Sequence, residues 1–429
     1  MRSDDRAFDT APLAELCDAT RGITYGIVKV GEFVRDGIPV VRGGGVRDNR
    51  IEIDDEKRVS EEVSRRFKRT ILRGGEIVLN LIAEPGHSAI VPASLAGANV
   101  TRDIAVIPVA GADTRFVNYF LQSPQCIGWL RAHLQGSVTL KINLGTLAAL
   151  PVPNPPIDEQ RRIAAVLDAL DEKTGSSRRL VGLLDETVAT LFRARFVDFV
   201  GVDEFEESEI GRVPRGWQIA PVGEVLTVVG GSTPSTKEAR FWNGLHCWAT
   251  PKDLSGAWSP ILLDTDRHIT AEGVQHISSK LLPRRTVLLS SRAPVGYTAI
   301  SFVPVAVNQG FIAIPPSSDV PSEFVLFWLR EHMDEIKAHA GGTTFAEISK
   351  RQFRPLPMVV PPREQRESFN RTARPAFDLM AAQEREAKTL AELRNALLPK
   401  LISGQIRVPD TGDPTELIEP AAEAIPAAS

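Results

Sequence analysis

Arg65-Arg66-Phe67-Lys68-Arg69, with Arg73 following, places five basic side chains and no acid within nine positions. Cation density of that kind neutralises phosphates along a nucleic-acid backbone. The bland use of the same residues is a solvated helix face balanced by Glu61 and Glu62. A second acid-free stretch carries Lys280, Arg284, Arg285 and Arg292. Reading base edges requires Arg, Asn or Gln on segments that enter a groove. Arg42-Gly43-Gly44-Gly45-Val46-Arg47 offers two guanidiniums, Arg42 and Arg47, on a flexible backbone. It lacks the Lys-Ser/Thr of a phosphate loop and the spacing of a dinucleotide fingerprint, which excludes nucleotide binding there. The later segment Trp248-Ala249-Thr250-Pro251-Lys252-Asp253-Leu254 supplies Lys252 and a tryptophan suited either to stacking on a base or to filling a core. Asn308 and Gln309 fit adenine edges or a simple turn, and Lys141 and Lys350, each just after a polar loop, complete the candidate DNA contacts.

Chemistry beyond binding is not encoded in a recognisable form. Asn154-Pro155-Pro156-Ile157 resembles the Asn-Pro-Pro-aromatic motif of amino-methyltransferases, but the aromatic is missing and no glycine-rich cofactor loop precedes it. Cys17, Cys126 and Cys247 are odd in number, far apart and free of any C-x-x-C pair, so neither a disulfide framework nor a zinc ribbon is expected. The seven histidines are scattered along the chain, and no metal, cofactor, nuclease or Walker signature is expected. Lys and Arg number 50 against 54 Asp and Glu, a net charge of −4, so any nucleic-acid surface is a local patch and not a global field. The charged N-terminus does not read as a signal peptide, and the apolar region from Val287 to Val307 is interrupted by Arg292, Pro294 and Pro304, so no membrane span and a cytoplasmic location are expected.

What must position these residues emerges from self-similarity. Ala11-Pro12-Leu13-Ala14-Glu15 corresponds to Ala220-Pro221-Val222-Gly223-Glu224 at an offset of 209, which also sets Gly22 on Gly231 and Thr24 on Thr233. Ile77-Val78-Leu79-Asn80 matches Val287-Leu288-Leu289-Ser290 at an offset of 210. Leu150-Pro151-Val152-Pro153-Asn154-Pro155-Pro156 matches Leu356-Pro357-Met358-Val359-Val360-Pro361-Pro362 at 206, and Glu159-Gln160-Arg161 matches Glu364-Gln365-Arg366 at 205. Several matches in one order imply two copies of one module, each a β-rich globular part followed by a long helix. Short β-branched runs such as Ile104-Ala105-Val106-Ile107 and Phe311-Ile312-Ala313-Ile314 predict strands, and Phe116 to Leu134 and Phe324 to His339 predict helices.

Asp158 to Phe196 contains no proline and opens on two acids, which predicts one long helix of roughly 58 Å at 1.5 Å per residue. Leu167, Leu170, Thr174, Ser177, Val181, Leu184, Val188 and Leu191 form a 3-4 seam with a polar centre, repeated later at Leu390, Leu393, Leu397 and Leu401. Pro375 lies well inside the second helix and predicts a kink or break there. The two apolar stripes are expected to bury against one another, antiparallel. After Arg407 the chain has five acids and no Lys or Arg and reads as a disordered tail.

This organisation resembles the specificity subunit of type I restriction-modification systems over nearly the whole chain. The carriers are Leu150 to Arg161 and Leu356 to Arg366, which look like the family's proline-rich lead into each helix. Ile210-Gly211-Arg212-Val213-Pro214-Arg215-Gly216-Trp217-Gln218, Val307-Asn308-Gln309-Gly310-Phe311 and the closing Leu397 to Ile406 support them. The first copy departs from the second where Leu81-Ile82-Ala83-Glu84-Pro85-Gly86 stands against Ser291-Arg292-Ala293-Pro294-Val295-Gly296, leaving Arg292 without a basic counterpart. The resemblance implies an α+β fold with two mixed α/β target recognition domains related by a pseudo-twofold and separated by an antiparallel pair of long helices. The expected segments are 1–155 for the first recognition domain, 156–200 for the first helix, 201–362 for the second domain with its lead-in, 363–406 for the second helix and 407–429 for the tail. It further implies a non-catalytic protein that binds double-stranded DNA, two methyltransferase subunits and restriction/translocase subunits. A coiled-coil scaffold that binds only proteins and a stand-alone adenine methyltransferase are the competing expectations.

Overall fold

A computed structural model describes residues 8–47, 49–82, 85–136, 140–341 and 346–409. The expected tail and the polar loops at 137–139 and 342–345 lie outside the described residues, apart from the ends of each. The chain divides into two compact units, one comprising 1–173 and 389–429, the other 174–388.

In the first unit, a four-stranded sheet orders Thr24–Tyr25, Ile104–Ile107, Ile77–Asn80 and Ser88–Ile90, every neighbouring pair antiparallel. Residues of the two central strands are all buried, which explains their continuous apolar runs in place of alternation. A smaller sheet sets Ile38–Val41 between Arg58–Val59 and Asn99–Val100, the last pairing parallel. Thr10–Pro12 pairs with Pro151–Pro153, closing the module where its chain enters and leaves. Buried Arg21 forks between the Glu76 carboxylate and the backbone carbonyls of Arg69 and Ile71.

The second unit repeats the order and pairing of these three sheets. Val229–Gly230, Phe311–Ile314, Val287–Ser291 and Val295–Ser301 form the large sheet, extended by Ile261–Leu262, which pairs parallel to its edge. Trp242–Ala249 lies between His268–Ile269 and Val305–Val307, again with one parallel pairing. Gln218–Pro221 closes on Pro357–Val360. Close approach of backbone corrects one pairing read from the sequence. A Cβ on Gly26 would meet the Val100 carbonyl at 1.9 Å, and one on Gly231 would meet the Val307 carbonyl at 1.8 Å. Gly26, and not Gly22, is therefore the counterpart of Gly231, because only glycine lets the two backbones approach this closely.

Each predicted mid-module helix is two helices. Thr114–Gln122 ends at Ser123, whose hydroxyl caps Pro124–Ala132 by accepting the Cys126 N–H, with Pro124 in the first turn. Ser322–Glu331 and Met333–Ala338 divide at His332. The long helices are Ile157–Phe196 and Arg363–Ser403. Pro375 does not break the second: the helix runs unbroken through it, with the exposed proline between buried Ala373 and Phe377. Packing of Phe369, Ala373, Phe377 and Met380 into the core outweighs one missing backbone donor.

Within each unit the helix segments run antiparallel. In the first, Asp171 meets Arg394 while Glu159 meets Arg407, and Leu167, Leu170, Leu393, Leu397 and Leu401 share one core. In the second, Ser177 donates to Glu386 while Arg195 donates to Ser368. There the core gathers Val181, Val188, Phe192, Phe324 and Phe369, with the Phe192 and Phe369 rings 5.7 Å apart, edge to face. The polar centre of the seam thus pairs Ser177 with a carboxylate. Among the described residues, no helix is long and apolar enough to cross a membrane.

Candidate nucleic-acid interface

The first unit presents a concave basic edge. Arg66, Lys68 and Arg69 line an open cleft together with Thr24 and Tyr25. They come from the helix Glu61–Arg66, capped by Ser60, and the single turn Lys68–Thr70 after it. Arg65 and Arg66 pair along that helix with Glu61 and Glu62, the offsetting acids expected from the sequence. Arg65 remains 71 % exposed in its pair, so the contact costs little to exchange for a phosphate. Lys68 and Arg73 are exposed, whereas Arg69 donates to the Arg21 carbonyl. Tyr25 was not singled out by sequence reasoning; the residue is 48 % exposed beside these cations, where a ring offers a stacking face to a base.

Arg42 and Arg47 are both exposed, flanking a glycine turn. That turn is no phosphate cradle: the Gly43 N–H donates to Asp103 Oδ2 at 2.8 Å, and Glu52 and Asp54 line the same recess. Lys141 is exposed and bridges in β fashion to Ile82 and Gln135.

In the second unit, Lys252, Arg292 and Asn308 line one cleft with Thr250, Ser255 and Glu347. Lys252 lies in the first turn of the short helix Pro251–Leu254, fixed by a Thr250–Asp253 capping box. Its ammonium lies 2.9 Å from Asp266, which raises the lysine pKa above its ordinary value, and stays 82 % exposed. Arg292 faces Glu347 at 3.8 Å. Asn308 Oδ1 accepts the Gly310 N–H, and Gln309 Oε1 accepts the Thr233 hydroxyl, so both amides are held by turn contacts while still at the surface. Lys280 is exposed, its ammonium on the Gln275 carbonyl; Arg284 is exposed, and Lys350 packs over Gly230.

Two sequence expectations need correction. Arg285 cannot reach a phosphate: only 13 % exposed, its guanidinium bonds Glu323 and Asp378 and stacks over Phe302. Of the two uses open to Trp248, the structure shows the core one: it is 3 % exposed and edge to face with Trp242. Nor are the histidines all scattered in space, since His268 lies beside Asp264 and Cys247.

The two copies share their backbone bridges but not the side chains on them. The β bridge Ile82 to Lys141 in the first unit corresponds to Arg292 to Glu347 in the second. Lys141 is therefore the counterpart of Glu347, and Lys350, the first residue of Lys350–Phe353, corresponds to Leu144, the first of Leu144–Ala148. The same backbone edge carries an apolar side chain facing a lysine in one copy and an arginine facing a carboxylate in the other. Carrying the repeat through the parallel strand pairs also sets exposed Arg102 opposite Gln309, a residue missed because its segment has no basic neighbour cluster.

These features define a duplicated α+β binding module, each copy with an exposed polar and basic edge of its own composition. The chain matches the type I restriction modification DNA specificity domain at residues 10–180 and again at 214–402, and it belongs to that family. It is 33 % identical over 199 residues to the MjaIX specificity subunit of Methanocaldococcus jannaschii, covering 46 % of each chain. It is 24 % identical over 274 residues to a putative MjaX specificity subunit of the same organism, covering 62 % of each. The chain thus spans about half the length of the curated relatives it matches. Its fold is similar to the crystal structure of a type I restriction-modification S subunit from M. genitalium, with a TM-score of 0.59 at 14 % identity over 96 % of this chain and 99 % of that one.

Proposed function

We propose that this chain is the DNA-specificity subunit of a type I restriction-modification complex: a non-catalytic protein that reads a bipartite double-stranded site. In this reading, residues 10–155 read one half-site and 217–360 the other, each with its own edge. Exposed faces of the duplicated helices dock two methyltransferase subunits, to which restriction/translocase subunits add. The observation that carries the proposal is the unlike pair at one repeated position, Ile82 with Lys141 against Arg292 with Glu347. Two copies of one fold that differ where a groove would be met are suited to two different base sequences. Candidate phosphate contacts are Arg65, Arg66, Lys68, Arg69, Arg73, Lys280 and Arg284; candidate base readers are Arg42, Arg47, Arg102, Lys141, Lys252, Arg292, Asn308 and Gln309.

The test is binding of the purified chain, together with its methyltransferase, to a library of duplexes holding randomised half-sites and variable gaps. Enrichment of a split motif with one gap length, and an affinity that falls steeply with salt, is the expected outcome. Binding indifferent to sequence, or none, would favour the protein-only scaffold. Methylation of DNA by the chain alone would overturn the non-catalytic assignment.

A further inference from the structure

At the edge of the second unit, three side chains that the DNA reading does not use converge on one point. Strand pairing of Trp242–Ala249 with His268–Ile269 sets Cys247 opposite His268, and the intervening turn returns Asp264 to the same side. Cys247 Sγ lies 3.8 Å from both Asp264 Oδ1 and His268 Nε2, and those two atoms are 3.0 Å apart. Ligands at about 2.3 Å for sulfur and 2.0–2.2 Å for nitrogen and oxygen, set tetrahedrally around zinc, would be separated by about 3.3–3.6 Å. The triangle formed by this cluster is within a few tenths of an ångström of those edges.

The arrangement is not a nucleophile relay. A cysteine–histidine–carboxylate relay places the thiol and the acid on opposite ring nitrogens, so that a proton passes through the imidazole. Here sulfur and carboxylate address the same nitrogen, Nε2, which leaves three donors facing a common centre. The rest of the site orients them. Asp264 Oδ2 is held by Lys388 at 3.1 Å, leaving Oδ1 turned toward the cluster, where it also accepts the Thr265 N–H. Outer contacts of this kind fix ligand geometry in metal sites. Cys247 is 8 % exposed while Asp264 is at the surface, so a cation has a buried soft ligand on one side and a solvent approach on the other.

We propose that Cys247, Asp264 and His268 bind one zinc-class divalent ion, with water as its fourth ligand. Thiolate and imidazole together select against magnesium and calcium, which prefer oxygen cages. The role of the ion is structural. Asp266, two residues beyond Asp264, holds Lys252 and takes the Asp253 carboxylate on its backbone N–H, so pinning this turn also pins the segment that forms one wall of the cleft.

The test uses the full-length chain, stripped with chelator and titrated with cobalt(II), then with zinc in competition. The expected result is one equivalent bound, with a thiolate-to-cobalt charge-transfer band and the intense visible absorption of a tetrahedral site. Cys247→Ser should lose the charge-transfer band, and His268→Asn should keep it but bind more than about 100-fold less tightly, since outer-shell changes alone cost about 10–100-fold. Asp264→Asn at the exposed ligand, with folding followed by circular dichroism, gives a third arm should Cys247→Ser or His268→Asn unfold the unit; it too should retain the sulfur band and lose affinity. No binding by the unaltered chain, cobalt bound without sulfur character, or variants that bind as tightly as the parent would each overturn the site.

Discussion

Among the cations, partner and burial separate those that the proposed reading assigns to DNA from those that hold the fold. Lys68 is exposed at the mouth of a cleft, whereas Arg285 is a largely covered fork joining Glu323 and Asp378. Their alanine variants should therefore fail in different ways. Lys68→Ala should fold normally and lower the slope of log affinity against log salt by about 0.9 for the one phosphate lost. Arg285→Ala leaves the almost fully buried Glu323 unpaired and should cost about 3–5 kcal/mol of stability, read from urea unfolding, with the salt slope unchanged at temperatures where it remains folded. The two residues look alike in sequence, each flanked by acid-free basic neighbours. Only the carboxylates brought to Arg285 from distant segments decide its role.

Among the elements, the long helices were legible because their signals are local: proline-rich leads, acidic first turns and a seam of leucines and valines. The interior of the second helix was not, because Pro375 acts through propensity while its neighbours act through packing. Pro375→Ala restores an N–H toward the Arg371 carbonyl at an exposed position, and should raise the melting temperature by an amount equivalent to as much as about 3 kcal/mol. A helix already broken there would gain nothing. The split of each mid-module helix was hidden for a related reason. Ser123-Pro124 reads as a cap and first turn only once the preceding helix is seen to end, and His332 carries no breaker chemistry at all.

For the whole molecule, the proposed reading makes the recognised gap a property of the helices and the half-sites a property of the modules. Each long helix passes from one unit to the other, at Lys173 and at Lys388. Matched insertions of whole helical turns after these residues should lengthen the gap in the selected motif while leaving both half-sites intact. Exchange of 217–360 for the second module of a relative should change one half-site alone. Methylation mapping in cells co-expressing the methyltransferase reads both outcomes, and a gap indifferent to the insertions would remove the helices from the distance rule.

Duplication, the long helices and the basic stretches all followed from the order of residues, because repeats and helical periods are written in neighbouring positions. Which cations are free, which glycine is the true counterpart of Gly231, and the meeting of Cys247 with His268 and Asp264 were decided by strand pairing. Register brings together side chains whose separation in the chain carries no trace of their distance in space, and a shift of one residue would turn each to the opposite face.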